Sequence, residues 1–244
     1  MNLLFANCQR RITLPETTDA PRGAYSGHVT TRTSRHQLDR LAGASGLDVL
    51  DWGCGTADYR RPVESLGHRY VGLDASGSGA DLLGDVHCLP FGDQAFDYVL
   101  TNAVLEHVTN PFLAVREVAR VLKRGGKFAG SAAFLEPYHY GSLFHLSADG
   151  VVHVLECAGL RVDGVWPEEG WLVFDSLAQM HGPISWPSRK LLKMAGVIER
   201  LVRRRHYHPR SIGQARWLRS KSASEYRDDM LAITGQVDFV ATKV

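Results

Sequence analysis

A glycine-rich turn directly after a short apolar strand constrains this chain more than any other feature. Leu47-Asp48-Val49-Leu50-Asp51 reads as a strand, and Gly53-Cys54-Gly55-Thr56 follows it at once. Glycines at the carboxyl end of a strand let the backbone turn tightly and approach a ligand closely. An acidic residue about twenty positions further on, closing a second strand, can accept both ribose hydroxyl protons. Asp74 stands there, at the end of Tyr70-Val71-Gly72-Leu73-Asp74. Position 58 is Asp rather than a third glycine, and a carboxylate there opposes a pyrophosphate at a helix N-terminus. The predicted ligand is nucleoside-like and carries no diphosphate.

The rest of the chain repeats the strand–helix alternation. A third, weaker strand is predicted around Asp81–Gly84, a fourth at Phe96–Thr101, a fifth at Lys127–Ala133, a sixth at Leu160–Trp166 and a last at Gln236–Ala241. Asn110 and Pro111 open a helix as N-cap and first helical residue, with an apolar stripe at 114, 115, 118, 121 and 122. Gly125-Gly126 is predicted to end it. A second clear helix begins at Ser147 and stops at Gly159. The predicted class is therefore α/β, a Rossmann-like, mostly parallel seven-stranded sheet with helices on both faces. Residues 1–44 form an N-terminal cap segment with a short helix near Ser34–Leu41, and residues 45–244 the main domain.

Composition sets few limits on this picture. The 244 residues carry a formal net charge of +2, so the chain as a whole is not a polyanion binder. Its four cysteines form no Cys-x-x-Cys pair, and no Cys/His cluster has zinc spacing. A reduced, cytoplasmic compartment is the expectation. The first residues lack a basic n-region, and no stretch reaches the length of a membrane span. No compact metal motif is present, so no metal is assigned. No nucleic-acid-binding module is recognised, and no motif sets the oligomeric state.

Five motifs in register resemble class I methyltransferases that use S-adenosylmethionine (SAM), of the methyltransferase type 11 kind. They are Val49–Thr56, Val71–Asp74, Gly84–Phe91, Phe96–Val99 continuing to Val104-Leu105-Glu106-His107-Val108, and Leu122–Lys127. The resemblance implies SAM as cofactor and a role for each matching residue. Gly53 and Gly55 line the methionine part, and Asp51 supports the turn and reaches toward the amino group. Asp74 binds the ribose. Asp85 accepts a proton from the adenine amine, with Val86 against the ring. Asn102 lies near the sulfonium. Cys54, inside the same cofactor-binding turn, reads as a small residue tolerated between two glycines, not as a redox group.

SAM carries its own activation, so the protein must chiefly align an acceptor and exclude water. A hydroxyl acceptor also benefits from a general base, for which histidine suits neutral pH. Of eleven histidines, His139 and His145 follow the fifth strand in a long aromatic segment, where α/β folds place ligands. They are the candidate bases. His107 belongs to the widespread Leu-Glu-His-Val and is read as structural. The segment Pro137–Gly159 also resembles, more loosely, methyltransferases of sugars and glycans.

An insertion of about seventy residues, 167–235, precedes the last strand. Within it residues 186–206 form a predicted amphipathic helix, with Leu191, Met194, Ala195, Ile198, Leu201 and Val202 on one face. Seven Lys/Arg against Glu199 give this helix +6, leaving −4 for the rest of the chain. Three readings fit: packing of the apolar face on the core or a partner subunit, docking to an anionic acceptor or polysaccharide, and contact with an anionic membrane surface. The combined expectation is a SAM-dependent O-methyltransferase acting on a hydroxyl of a carbohydrate or other small molecule. Its rivals are a C-methyltransferase of a quinone-like lipid and a non-enzymatic SAM-binding protein.

Overall fold

The computed structural model describes residues 35–137, 139, 141–168, 171–179, 185–206, 227 and 230–244. Seven strands build one sheet: β1 (Asp48–Trp52), β2 (Arg69–Asp74), β3 (Leu82–Leu83), β4 (Phe96–Asn102), β5 (Leu122–Ala133), β6 (Leu160–Pro167) and β7 (Gln236–Lys243). Their order is β3-β2-β1-β4-β5-β7-β6. All pair in parallel except β7, which runs antiparallel between β5 and β6. The carboxyl ends of β1, β2, β4, β5 and β6 thus share one edge, and β7 starts at that same edge.

The helices bounded within the described residues are α1 (Arg35–Leu41), α2 (Arg60–Ser65), α3 (Pro111–Val121), α4 (Ala148–Cys157), α5 (Val173–Gln179) and α6 (Trp186–His206). Both sheet faces are covered. On one, Val115, Val118, Val152 and Leu155 of α3 and α4 pack with Trp52, Phe128 and Phe239. Trp52 and Phe128 meet edge to face at 5.9 Å, and Phe128 and Phe239 at 5.1 Å. On the other face Leu38 and Leu41 of α1 and Val63 of α2 pack with Val49, Leu100 and Val240. Gln37 Nε2 donates to the Thr101 carbonyl at 3.1 Å, fixing α1 over β4. Of the predicted cap segment, residues 1–34 lie outside the described residues.

The predicted helix starts are observed as capped ends. The Asn110 side chain accepts from the Leu113 amide at 3.1 Å, and Ser147 Oγ accepts from the Gly150 amide at 3.2 Å. Each satisfies an otherwise orphaned helix donor and stabilises its helix by about 1 kcal/mol. The predicted stop at Gly125-Gly126 is corrected. Helix α3 ends at Val121, and Leu122 already pairs with Phe96 in the sheet. Burying Leu122 and pairing its backbone outweigh one more helical turn. Gly125, at φ +76, instead turns the chain within β5, where the register shifts before Lys127 pairs with Tyr98. The third strand shrinks to Leu82–Leu83, whose exposed side chains give this edge little to bury.

Candidate active site

The turn after β1 sits where the sequence places it. The Gly53 and Cys54 amides both donate to the Leu73 carbonyl, at 2.8 and 3.1 Å, which binds the turn to the end of β2. Asp74 is the hub. Its Oδ2 accepts from the Gly55 amide at 2.9 Å, and its Oδ1 from the Ser76 and Gly77 amides at 2.9 and 2.7 Å. One carboxylate therefore ties the first turn to the loop after β2. That loop, Ser76–Gly79, escaped the sequence reading. Its signal was the paired Gly77 and Gly79: a Cβ on Gly77 would stand 2.5 Å from the Gly55 carbonyl oxygen. By contrast, a Cβ on Gly55 would point into open space. The residues present thus fit a nucleoside cofactor, with backbone exposed at the turn and an anchored acidic group beside it.

Asp51 is buried beneath the turn and accepts from the Tyr70 hydroxyl at 2.6 Å. Burial pushes its carboxyl up to about 7, opposed by the Tyr70 hydrogen bond and reinforced by the Asp74 charge. Cys54 is buried too, and burial with the neighbouring Asp51 and Asp74 charges pushes its thiol up to about 12. A thiol so resistant to ionisation is a poor nucleophile, in keeping with its reading as a small residue.

Asp85 lies at the surface with Val86 packed against the main core. Its Oδ1 accepts from the His87 amide at 2.9 Å and faces the ring Nδ1 at 2.6 Å. The same ring takes the Asn110 amide proton on Nε2 at 3.2 Å. Nε2 is therefore the acceptor and Nδ1 the donor. His87 was not singled out from sequence; it ties the predicted adenine loop to the N-cap of α3. Asn102 closes β4, and its Oδ1 accepts from buried Ser131 Oγ at 2.7 Å.

Beyond β4 the chain passes Val104, whose methyl groups cover Gly53 so closely that an added Cβ there would lie 2.4 Å away. A 3-10 turn, Leu105–His107, follows immediately. This turn receives the segment after β5, because the Phe144 amide donates to the Glu106 carbonyl at 3.1 Å. Three histidines converge as a result. The rings of His107 and His139 meet at 5.1 Å and those of His139 and His145 at 5.8 Å. His139 Nδ1 lies 3.2 Å from the Pro137 carbonyl oxygen, and His145 Nδ1 lies 3.1 Å from that of Phe134. A carbonyl oxygen only accepts, so each neutral ring carries its proton on Nδ1 and presents Nε2 as the basic nitrogen. Glu106 is buried beside them, and burial pushes its carboxyl up. Glu106, His107 and His139 bring ligand atoms within 4.8 Å of one another, a donor set that a divalent cation could also use. Sequence spacing gave no hint of this set, because its members come from two separate loops.

Residues 50–130 match the family described as methyltransferase domain. The chain carries a class I SAM-dependent methyltransferase domain. SAM is the cofactor this domain implies. Its sequence is 35% identical over 101 residues to malonyl-[acyl-carrier protein] O-methyltransferase of Erwinia pyrifoliae, covering 37% of this chain and 38% of that one. It is 28% identical over 181 residues to demethylmenaquinone methyltransferase of Renibacterium salmoninarum, covering 64% and 73%. Among solved structures, geranyl diphosphate C-methyltransferase from Streptomyces coelicolor superposes with a TM-score of 0.55 at 14% identity, covering 85% of this chain and 75% of that one. At that identity the likeness speaks for the fold alone.

The methyltransferase domain also makes a pH prediction. The folded-state pKa of Asp51 lies above its unfolded value, so its contribution to stability is full below about pH 4 and is lost as pH rises through about 7. Asp51→Asn keeps an acceptor for Tyr70 and removes the titration. The stability of the variant relative to wild type, from urea unfolding, should rise by about 1 kcal/mol or more between roughly pH 5 and pH 8. A difference that stays flat over this range would show that Asp51 is ionised throughout.

Proposed function

We propose that this chain transfers the methyl group of SAM to a hydroxyl oxygen on a carbohydrate or other small acceptor. The observation that carries the reading is the pair of imidazoles after β5, each with Nδ1 committed to a backbone carbonyl and Nε2 left as the base. When bound, SAM supplies a methyl group made electrophilic by a positive sulfonium. Asp74 and Asp85 hold the ribose and the adenine amine, and the Gly53–Gly55 turn lies along the methionine part. As the acceptor oxygen gains the methyl group, His139 or His145 takes the hydroxyl proton on Nε2. Exposed Leu143 and Phe144 lie between these histidines in sequence and offer the acceptor an apolar wall.

A second reading is C-methylation of a quinone-like lipid, favoured by that wall and by the apolar surface of α6. Methyl-labelled SAM, incubated with the purified chain and with extract split into polar, polysaccharide and lipid fractions, distinguishes them. Label in a polar or polysaccharide fraction, on oxygen, is the expected result. Label confined to lipid, on carbon, would replace the first reading with the second. No label with SAM binding intact would favour a SAM-binding protein without turnover.

A further inference from the structure

Helix α6 turns its apolar face away from the other described residues. Trp186, Leu191, Met194, Val197, Ile198 and Leu201 are each about half exposed or more, from 48% to 68%. At 100° per residue these positions fill one continuous arc of about 140°. The helix meets α5 with its opposite side, where Leu192, Gly196 and Glu199 line up. The two helices are in contact at Gly196, where a Cβ would lie at an ordinary van der Waals distance, 3.4 Å, from Asp175 Oδ1 and Phe174 Cβ. The expectation that the apolar face packs on the chain's own core is therefore corrected for these described residues.

Charge identifies what the face is suited to meet. The helix carries seven Lys/Arg against the single Glu199. Lys190 and Lys193 are exposed; Lys193, with sequence positions 200 and 204, falls on or beside one border of the apolar arc, whereas Lys190 stands within it, between Val197 and Leu201. Lys190 Nζ stands 3.8 Å from the Trp186 ring, pairing an aromatic body with a cation at the helix start. An exposed apolar arc, a basic border and a terminal Trp over about 30 Å of helix are the properties of a helix lying in a membrane interface. No described helix is long and apolar enough to cross a membrane, so contact would lie at the surface. A second copy of this helix would bring +6 against +6, which disfavours self-association through this face.

We infer that α6 docks this protein onto a membrane surface rich in anionic lipid, its apolar arc among the acyl chains and its Lys/Arg among the headgroups. The insertion leaves the sheet after β6 and returns before β7, at the edge that holds the cofactor turn. Trp171 at its start donates from Nε1 to Glu136 Oε1 at 2.6 Å, three residues from His139. Docking would thus set the acceptor side of the site close to the lipid.

Flotation of the full chain with phosphatidylcholine vesicles, with and without about a third phosphatidylglycerol, tests this without any turnover. The chain should float with the anionic vesicles, less so as salt rises, and stay behind with the neutral ones. Leu191→Gln with Met194→Gln and Ile198→Gln should lower the bound fraction at least about tenfold, as should Lys190→Glu with Lys193→Glu. All five side chains are exposed, and unchanged SAM affinity will confirm that the variants fold. No flotation, or flotation indifferent to these changes, would overturn the inference. So would a dimer seen by analytical ultracentrifugation that the glutamine variant loses while vesicles remain unbound.

Discussion

Asp74→Ala should weaken SAM binding by at least about 100-fold in isothermal titration. This side chain does two jobs at once. Its two oxygens hold the amides of Gly55, Ser76 and Gly77, and so join the turn after β1 to the loop after β2. It is also the acidic group that the ribose hydroxyls would meet. Alanine removes both, and each ribose hydrogen bond lost from the charged acceptor costs about 1.5–3 kcal/mol of binding, whereas water can take the place of the carboxylate at the three part-exposed amides. The carboxylate is only partly buried and lies outside both apolar cores, so the melting temperature should fall far less than the affinity. Asp74→Asn is the instructive companion. Its amide group would present N–H protons to backbone N–H groups, so binding should suffer even though size and shape are kept. SAM affinity within about threefold of wild type in the alanine variant would remove Asp74 from the cofactor site.

Changing His139 and His145 together to Ala should spare SAM affinity and lower turnover by about 10²- to 10⁴-fold, the usual contribution of a general base. Each ring alone should cost less, because both are held in the same tautomer and lie 5.8 Å apart. Full activity in the double variant would sink the assignment. If His107→Ala alone abolished turnover, the base would sit on the 3-10 turn instead. Loss of activity on chelation, restored by a divalent cation, would give Glu106, His107 and His139 a ligating role in place of proton transfer.

The alternation of strands and helices was legible because each element carries a local signature. Asn110-Pro111 and Ser147 cap helices in the structure as they do in the sequence, since capping depends on residues three positions apart. The end of α3 was not legible. Gly125-Gly126 has the composition of a helix stop, yet pairing of Leu122 with Phe96 ends the helix four residues earlier. That pairing joins positions 26 apart, beyond any local pattern.

The junction of the turn after β1 with the end of β2 followed from sequence for a similar reason. Gly53, Gly55 and Asp74 lie on adjacent strand ends, and spacing along one βαβ unit nearly dictates their meeting. His87 was hidden, because its value comes from bridging Asp85 to Asn110 across the surface. The histidine cluster is a stronger case. His139 and His145 were candidates on position alone, whereas their approach to His107 depends on the loop after β5 bonding the Glu106 carbonyl.

By itself, the sequence determined the α/β class, the glycine turn after β1 with its acidic partner at the end of β2, and the amphipathic pattern of residues 186–206, because each is written in neighbours or in a short fixed spacing. Only the tertiary structure decided which imidazole nitrogen is basic, since that depends on carbonyl oxygens up to eleven residues away. It also decided which way α6 faces. An apolar stripe serves equally well against a core or against lipid, and only the packing of the opposite side on α5 left that stripe exposed.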